Sequence, residues 1–314
     1  MITFKMLLSL LCGLAIFIFG MRQMTASLKE LAQKKLKHAI SSLITSPYKG
    51  ALIGCIFTAL IQSSSAVTVL VVSMVDASAM SLLQAAGVIM GANLGTTVTT
   101  QLISLNLTTL IPYFIFLGSF FMIFSRRKKY ETIGHFFFSF GILFLGLSIV
   151  KTTVYPIVQT EMFQDLIISL QGKTILCLLL GIAITFFIQS SSASTAILIS
   201  LASTGAISLY TAVPILFGHE IGTCMTAILS SLSGKLAAKQ AAFIHFAFNV
   251  VGMFIFLPLI GFLIQLTHYF SQDPGRQIAN IQLIFNLSTV ILFLPFSNLF
   301  VKLALLVFPT PKTR

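Results

Sequence analysis

The sequence predicts an all-α polytopic membrane protein made of two inverted-topology repeats, each with a re-entrant helical hairpin and a broken helix, giving about seven full crossings plus two hairpins. Three observations carry this expectation. Of 314 residues, 57% are hydrophobic and only 8% charged, with a mean hydropathy of +1.01, well beyond soluble globular proteins. The run Gln62, Ser63, Ser64, Ser65, Ala66 recurs unchanged as Gln189, Ser190, Ser191, Ser192, Ala193. Lys and Arg gather in a few connecting segments, as cytoplasmic loops do.

Apolar segments on the scale of the roughly 20 residues that cross a hydrocarbon core include Met6–Met21, Leu107–Phe124, Thr132–Val150, Ala241–Ile264 and Ile278–Phe308. The first lacks a small-residue cleavage site and reads as a retained helix rather than a signal peptide. Cys12, Cys55, Cys177 and Cys224 are scattered through apolar stretches with no C-x-x-C spacing, which points to packing and to neither a metal site nor a disulfide framework. The +12 net charge follows from cytoplasmic loops and does not argue for nucleic acid.

The duplication extends past five residues at a constant offset of 127: Gly54 falls on Gly181, Thr58 on Thr185, Thr68 on Thr195 and Ser73 on Ser200. The register survives a connecting loop, setting Gly91-Ala92-Asn93-Leu94-Gly95-Thr96 on Gly218-His219-Glu220-Ile221-Gly222-Thr223. Two motifs in one register mark a duplicated unit, with repeat 1 over about 4–124, repeat 2 over about 132–264 and an extra C-terminal helix over about 277–308. A weaker echo repeats Ala242-x-x-His245-x-x-Phe248-Asn249 and Pro258 after 37 residues as Ala279-x-x-Gln282-x-x-Phe285-Asn286 and Pro295.

Charge sets the topology. Arg22, Lys29, Lys34, Lys35, Lys37 and Lys49 are read as one cytoplasmic loop and Arg126 to Lys129 as another. Three apolar stretches lie between them, so an even number of crossings requires one, 50–75, to be a re-entrant hairpin turning near Gln62 to Ser65. Its arms, about 15–18 Å long at 1.5 Å per residue, are too short to span alone. Carried forward, helix 132–150 leaves, the charge-balanced loop 151–173 is external and hairpin 174–202 enters from outside. Helices 207–230, 241–264 and 277–308 then return Lys235, Lys239, Lys312 and Arg314 to the cytoplasmic side. The N-terminus is expected outside the plasma membrane and the C-terminus inside. Three crossings per half invert the second half, the architecture of secondary transporters. Segments 28–46 and 155–171 are expected to be interfacial amphipathic helices.

A helix that breaks inside a membrane leaves N–H groups and carbonyls unpaired, tolerated only where they line a cavity or bind something. Gln62, Ser63, Ser64, Ser65 and Gln189, Ser190, Ser191, Ser192 add hydroxyls and amides that donate and accept. Such tips suit an oxyanion at helix starts or Na+ at carbonyl and hydroxyl oxygens. Breaks at Gly91 to Thr97 and Gly218 to Thr223 are expected to supply further groups from Asn93, Thr96, Thr97, Glu220 and Thr223. Small residues at membrane depth also serve helix packing, but two identical quartets in inverted halves favour function. His135 and His245 read as core histidines, Asn249 and Asn286 as interhelical glue, the Phe-rich face 136–144 as lipid contact or packing, and Asp76 as a loop residue. Glu220, standing where the first half has Asn93, is an intramembrane carboxylate and a functional candidate by default, for a coupling proton or Na+. No arginine is expected in the site, so an anion would rest on neutral donors, helix starts and bound Na+.

The paired Gln-Ser-Ser-Ser motifs, Gly91-Ala92-Asn93-Leu94-Gly95-Thr96-Thr97, Gly218-His219-Glu220-Ile221-Gly222-Thr223 and His245-x-x-Phe248-Asn249 resemble the type II Na+/phosphate cotransporter family over about residues 8–300. The resemblance implies symport of inorganic phosphate with Na+, with no cofactor, and places both quartets at the phosphate and Na+ sites. The ion is expected to be shared among Gln62, Ser65, Gln189 and Ser192. The chain stops at Arg314, without the C-terminal PhoU-like domain that many bacterial members carry, so regulation through one is not expected. Glu220 departs from the family's usual Asn. A carrier for another small anion, a phosphate exporter, and a scaffold or channel remain alternatives. An enzyme is disfavoured, since no metal cluster, nucleophile–base pair or nucleotide motif is present.

Overall fold

The computed structural model describes residues 4–105 and 107–309, with the side chains of 32–43 outside the description. Every regular element among them is helical: α1 (Phe4–Leu43), α2 (Pro47–Ile61), α3 (Ser64–Asp76), α4 (Leu82–Ile103), α5 (Ile111–Phe124), α6 (Lys128–Val158), α7 (Glu161–Leu170), α8 (Thr174–Ile188), α9 (Ser191–Ser203), α10 (Leu209–Ser231), α11 (Leu236–Phe256), α12 (Ile260–His268), α13 (Pro274–Phe293) and α14 (Ser297–Val307). With backbone polarity unsatisfiable in lipid, helices are what an apolar chain of this kind forms. Four helical stretches are long and apolar enough to cross a membrane, and up to seven if each bent pair is one span. The protein is a multi-pass membrane protein.

The offset seen in the sequence governs the helix boundaries. Advancing α2 and α3 by 127 residues lands on the first and last residues of α8 and α9, and α1 maps onto α6 and α7 together. The two copies run in opposite directions. Gly13 packs on Val150, Phe17 on Gly146 and Gly20 on Leu143, so position falls along α6 as it rises along α1 and the pair is antiparallel. Repeat-equivalent positions meet near Ile18 and Leu145, where a pseudo-twofold axis crosses the pair. Glycines make this approach possible: a Cβ on Gly20 would strike the Leu143 backbone.

Both hairpins are re-entrant, and helix direction shows it. Gly87, Gly91 and Gly95 of α4 pack against Pro47, Ala51 and Cys55 of α2, a constant separation of 40 residues that makes α2 and α4 parallel. In the second half Gly218 and Gly222 of α10 meet Leu178 and Ile182 of α8 with the same spacing. A chain that had crossed through α2 and α3 would return through α4 antiparallel to α2. At the far end of the first hairpin, Asp76 accepts a hydrogen bond from the Lys235 N–H before α11. In the second, Ser203 donates to Asp273 before α13 at 3.1 Å. Glu30 of α1 pairs with Lys128 at 3.4 Å, so the Arg126–Lys129 segment, the second half of α1 and the Lys235 loop share one face, here the basic face.

Several expectations change. The breaks at Gly91 to Thr97 and Gly218 to Thr223 do not occur, because α4 and α10 run through them. Their glycines serve backbone approach instead: a Cβ on Gly91 would overlap the Ala51 carbonyl, the small-residue packing used where lipid offers no hydrophobic drive. Arg22 and Lys29 are not in a loop, since α1 is continuous to Leu43. No Pro or Gly follows Gly20 within α1 to stop it. Segment 28–46 is therefore no separate helix, and its side chains from 32 to 43 lie outside the described residues; segment 155–171 does break, at Gln159, before α7. The C-terminal stretch divides at Pro295 into α13 and α14, bent by 83°, because proline lacks the N–H and disfavours helix in the residue before it. Pro258, its echo, leaves only a short 3-10 turn inside Leu236–His268. Lys312 and Arg314 lie outside the described residues.

Helix α13 is more than an appendage. It packs on α4 and α9 as α11 packs on α10 and α3, so the 37-residue echo marks two helices that do the same job for opposite halves. The Phe-rich face of α6 is packing: Phe140 lies edge-on to Phe114 of α5 and Phe144 edge-on to Phe140, each with ring centres 4.9 Å apart.

Candidate functional site

Each hairpin turns on its glutamine. Gln62 closes α2 and Gln189 closes α8 in left-handed backbone, φ 58° and φ 55°. Glycine is the usual residue for such a helix end. An L side chain there costs about 1–2 kcal/mol, and both repeats retain the same amide. The next residue starts the return helix: Ser63 caps α3 by accepting from the Ala66 N–H, and Ser190 caps α9 by accepting from the Ala193 N–H, both at 3.3 Å. The N–H groups of Ser64, Ser65, Ser191 and Ser192, in the first turns, have no carbonyl of their own helix to bond. Each tip thus presents a helix start, with its partial positive charge, beside the carbonyl end of the preceding arm.

The two tips share one cavity. A space of about 430 Å³ is lined by Gln62 and Ser63 from the first tip, Ile188, Gln189 and Ser190 from the second, and Ile18, Met21, Arg22, Thr25, Ala26 and Lys29 from α1. The α1 residues recur every three or four positions and form one face of that helix; Gly13, Phe17 and Gly20 lie on the other, against α6. Arg22 and Lys29 are therefore cavity residues, contrary to the expectation of an arginine-free site. Their spacing of seven, with no Pro or Gly between them, is the sequence signal for one shared helix face.

The tips differ in how firmly they are held. Gln62 is buried; its side-chain amide donates to the Ala59 carbonyl, and its oxygen accepts from the Thr99 hydroxyl at 2.6 Å. Gln189 is exposed to the cavity, and the second-half equivalent of Thr99, Thr226, turns back to the Thr223 carbonyl at 2.8 Å. Ser64, Ser191 and Ser192 are buried and Ser65 half-buried, one residue or two behind the cavity wall.

The second group of expected site residues does not line this cavity. Asn93 donates to Asn249 at 3.0 Å. At the repeat-equivalent position Glu220 accepts from Gln282 at 2.6 Å and from Asn286 at 3.3 Å. The 127-residue and 37-residue repeats thus close on each other: α4 meets α11, and α10 meets α13, through matching polar positions. Asn249 and Asn286 are the interhelical links expected of them. His245, the echo of Gln282, is buried with neither ring nitrogen bonded among the described residues, so it is not the satisfied core histidine anticipated. His135 instead lies partly exposed, 4.0 Å from Glu131. His219 does not bond Glu220 and sits 3.3 Å from the Thr195 hydroxyl. Thr96, Thr97 and Thr223 return their hydroxyls to carbonyls of their own helices at 3.2, 2.6 and 2.7 Å. No group of three or more His, Cys, Asp or Glu that could hold a metal ion occurs among the described residues.

Two inverted repeats with re-entrant tips around a polar cavity define the class as a membrane transporter of the repeat type. The chain belongs to the Na+/Pi-cotransporter family, whose sequence profile matches residues 16–152 and 156–294. It is 32% identical to YqeW of Bacillus subtilis over 303 residues, 96% of this chain and 98% of that protein. It is 27% identical over 290 residues to YjbB of Escherichia coli, which is named as a candidate inorganic phosphate export protein; the match covers 92% of this chain and 53% of YjbB, so the chain spans about half that relative's length. A segment of 107 residues is 39% identical to the human sodium-dependent phosphate transport protein 2C, covering 32% of this chain and 18% of that protein. No solved structure matches the chain.

Proposed function

We propose that the chain carries inorganic phosphate across the plasma membrane with Na+ as coupling ion, by alternating access. The observation that carries this reading is the single cavity lined by both Gln-Ser tips, where two helix starts converge. An oxyanion is suited to helix starts, and Na+ to the oxygens of Gln62, Ser65, Gln189 and Ser192 with the carbonyl ends of α2 and α8. The likeness to a protein named for sodium-dependent phosphate transport supports the ion and substrate. With the basic face cytoplasmic, the N-terminus lies outside.

Access to one side at a time has support in a latch between the end of α4 and α13. At the face opposite the basic one, Arg276 of α13 donates to the Gln101 carbonyl at 2.9 Å and to Ser104 at 2.7 Å, and Gln101 donates to Asn280 at 3.2 Å. These bonds draw α4 and α13 together there. The cavity, by contrast, follows α1 from Ile18 to Lys29, about 16 Å toward the basic face. That direction, with the likeness to a protein named for phosphate export, supports a second reading: the same carrier moving phosphate outward.

Uptake of labelled phosphate into proteoliposomes under Na+ gradients of either sign tests both readings. Accumulation that follows the imposed Na+ gradient is expected; phosphate movement indifferent to Na+ overturns coupling, and none at all overturns the carrier.

A further inference from the structure

Arg22 occupies an unusual place for a charge. The pseudo-twofold axis relating the inverted repeats crosses α1 at Ile18, and in such architectures that axis lies at the bilayer midplane. Arg22 follows by four residues, about 6 Å along the helix, inside a hydrocarbon half-thickness of about 15 Å. An ionisable group at that depth is functional by default, and here it faces the cavity rather than a helix neighbour.

No carboxylate offsets it. All seven acidic residues are described and none lines the cavity, which carries Arg22 and Lys29 alone as charged groups. The ion pairs among the described residues join Lys128 to Glu30 and His135 to Glu131, leaving Arg22 without a counter-ion. A cavity lined by one sign of charge with low-dielectric walls concentrates the opposite ion. We infer that Arg22 is the charged ligand of the transported oxyanion, which sits between its guanidinium and the helix starts at Ser63 and Ser190, with Lys29 one face-repeat nearer the entrance. The inference rests on the carrier reading above and names a ligand for it. Two helix starts contribute about half a positive charge each and Arg22 one more toward a phosphate dianion, while Na+ at the neutral Gln and Ser oxygens offsets the opposite half-charges at the carbonyl ends of α2 and α8. The planar guanidinium fits a phosphate through two parallel bonds, which an ammonium does not.

The test is the concentration dependence of phosphate uptake by the full chain in proteoliposomes. Arg22→Gln is expected to raise KM for phosphate about 10- to 100-fold, the value of a charge-assisted hydrogen bond, with a smaller effect on kcat; Arg22→Lys falls between. Lys29→Gln raises KM a few-fold at low salt and less at high salt. Phosphate that raises the unfolding temperature of the wild type no longer does so in Arg22→Gln at the same concentration. If the glutamine variant does not fold, Arg22→Lys carries the test. Wild-type KM in the folded Arg22 variants, with the wild type active, overturns the role of Arg22 alone and leaves a side chain that extends to the interface. A wild type that moves no phosphate brings down the carrier reading instead.

Discussion

The two halves share their backbone and differ in what holds it. In the first, the tip is anchored, Gln62 bonded to Ala59 and Thr99, while the deeper polar contact is a single amide pair, Asn93 to Asn249. In the second, the tip is loose and the deeper contact strong, with Glu220 taking two amide donors from α13. Each repeat is thus firm where the other is not. Duplication conserves the turn, a geometric requirement of re-entry, and leaves side-chain anchoring free to diverge. On the proposed function, the loose Gln189 tip is the one that adjusts to substrate, and the Glu220 link fixes α10 to α13 while it does.

The two halves should differ most in stability at the deeper contacts. Glu220→Ala takes the acceptor from the buried Gln282 amide and one of two from Asn286, which keeps the Gln282 carbonyl at 3.1 Å; with a charged acceptor lost, it should destabilise the protein by about 2–4 kcal/mol. Asn93→Ala strands one group and should cost about 1–3 kcal/mol. Thermal unfolding in detergent compares them, and an Asn93 variant as unstable as the Glu220 variant would remove the asymmetry.

At the tips the order reverses. Gln62→Ala strands the Thr99 hydroxyl and should cost about 1–2 kcal/mol, whereas Gln189→Ala should change stability by less than about 0.5 kcal/mol. Both should abolish most phosphate transport if the tips bind substrate. Equal stability losses would mean that Gln189 is anchored as Gln62 is.

A glycine at the second tip separates turn from chemistry. Gln189→Gly relieves left-handed strain and should leave stability unchanged or raised by about 1 kcal/mol, while transport falls as in Gln189→Ala. Retained transport in the glycine variant would show that the turn alone matters.

Much of this molecule was legible from its residues, and the misreadings have specific causes. The hairpins were found because a quartet of polar residues cannot cross lipid unaided and because basic segments had to share a face; the Glu30–Lys128 pair and the Asp76 link to Lys235 place them there. Gly91 and Gly218 read as breaks in the sequence because a glycine that ends a helix and one that admits a neighbouring backbone look alike in one sequence. Arg22 reads as a loop residue in the sequence because the rule relating charge to sidedness counts residues and does not see which helix face they occupy. The C-terminal helix reads as an extra in the sequence because its partner in symmetry, α11, is related to it by a short echo and not by the main register.

The solvent, the duplication, the inversion and a reversal near each Gln-Ser-Ser-Ser run can be read from the residues alone, since hydropathy, repeat register and chain reversal are local or periodic properties written along the chain. Tertiary structure decided which faces meet: that α4 lies parallel to α2 on glycines, that α13 mirrors α11, and that Arg22 shares a cavity with tips 40 and 167 residues away. In lipid every face of such helices is nearly as apolar as its surroundings, so burial does not orient them. Close backbone approach and a few buried polar bonds do, and those exist only once distant segments are brought together.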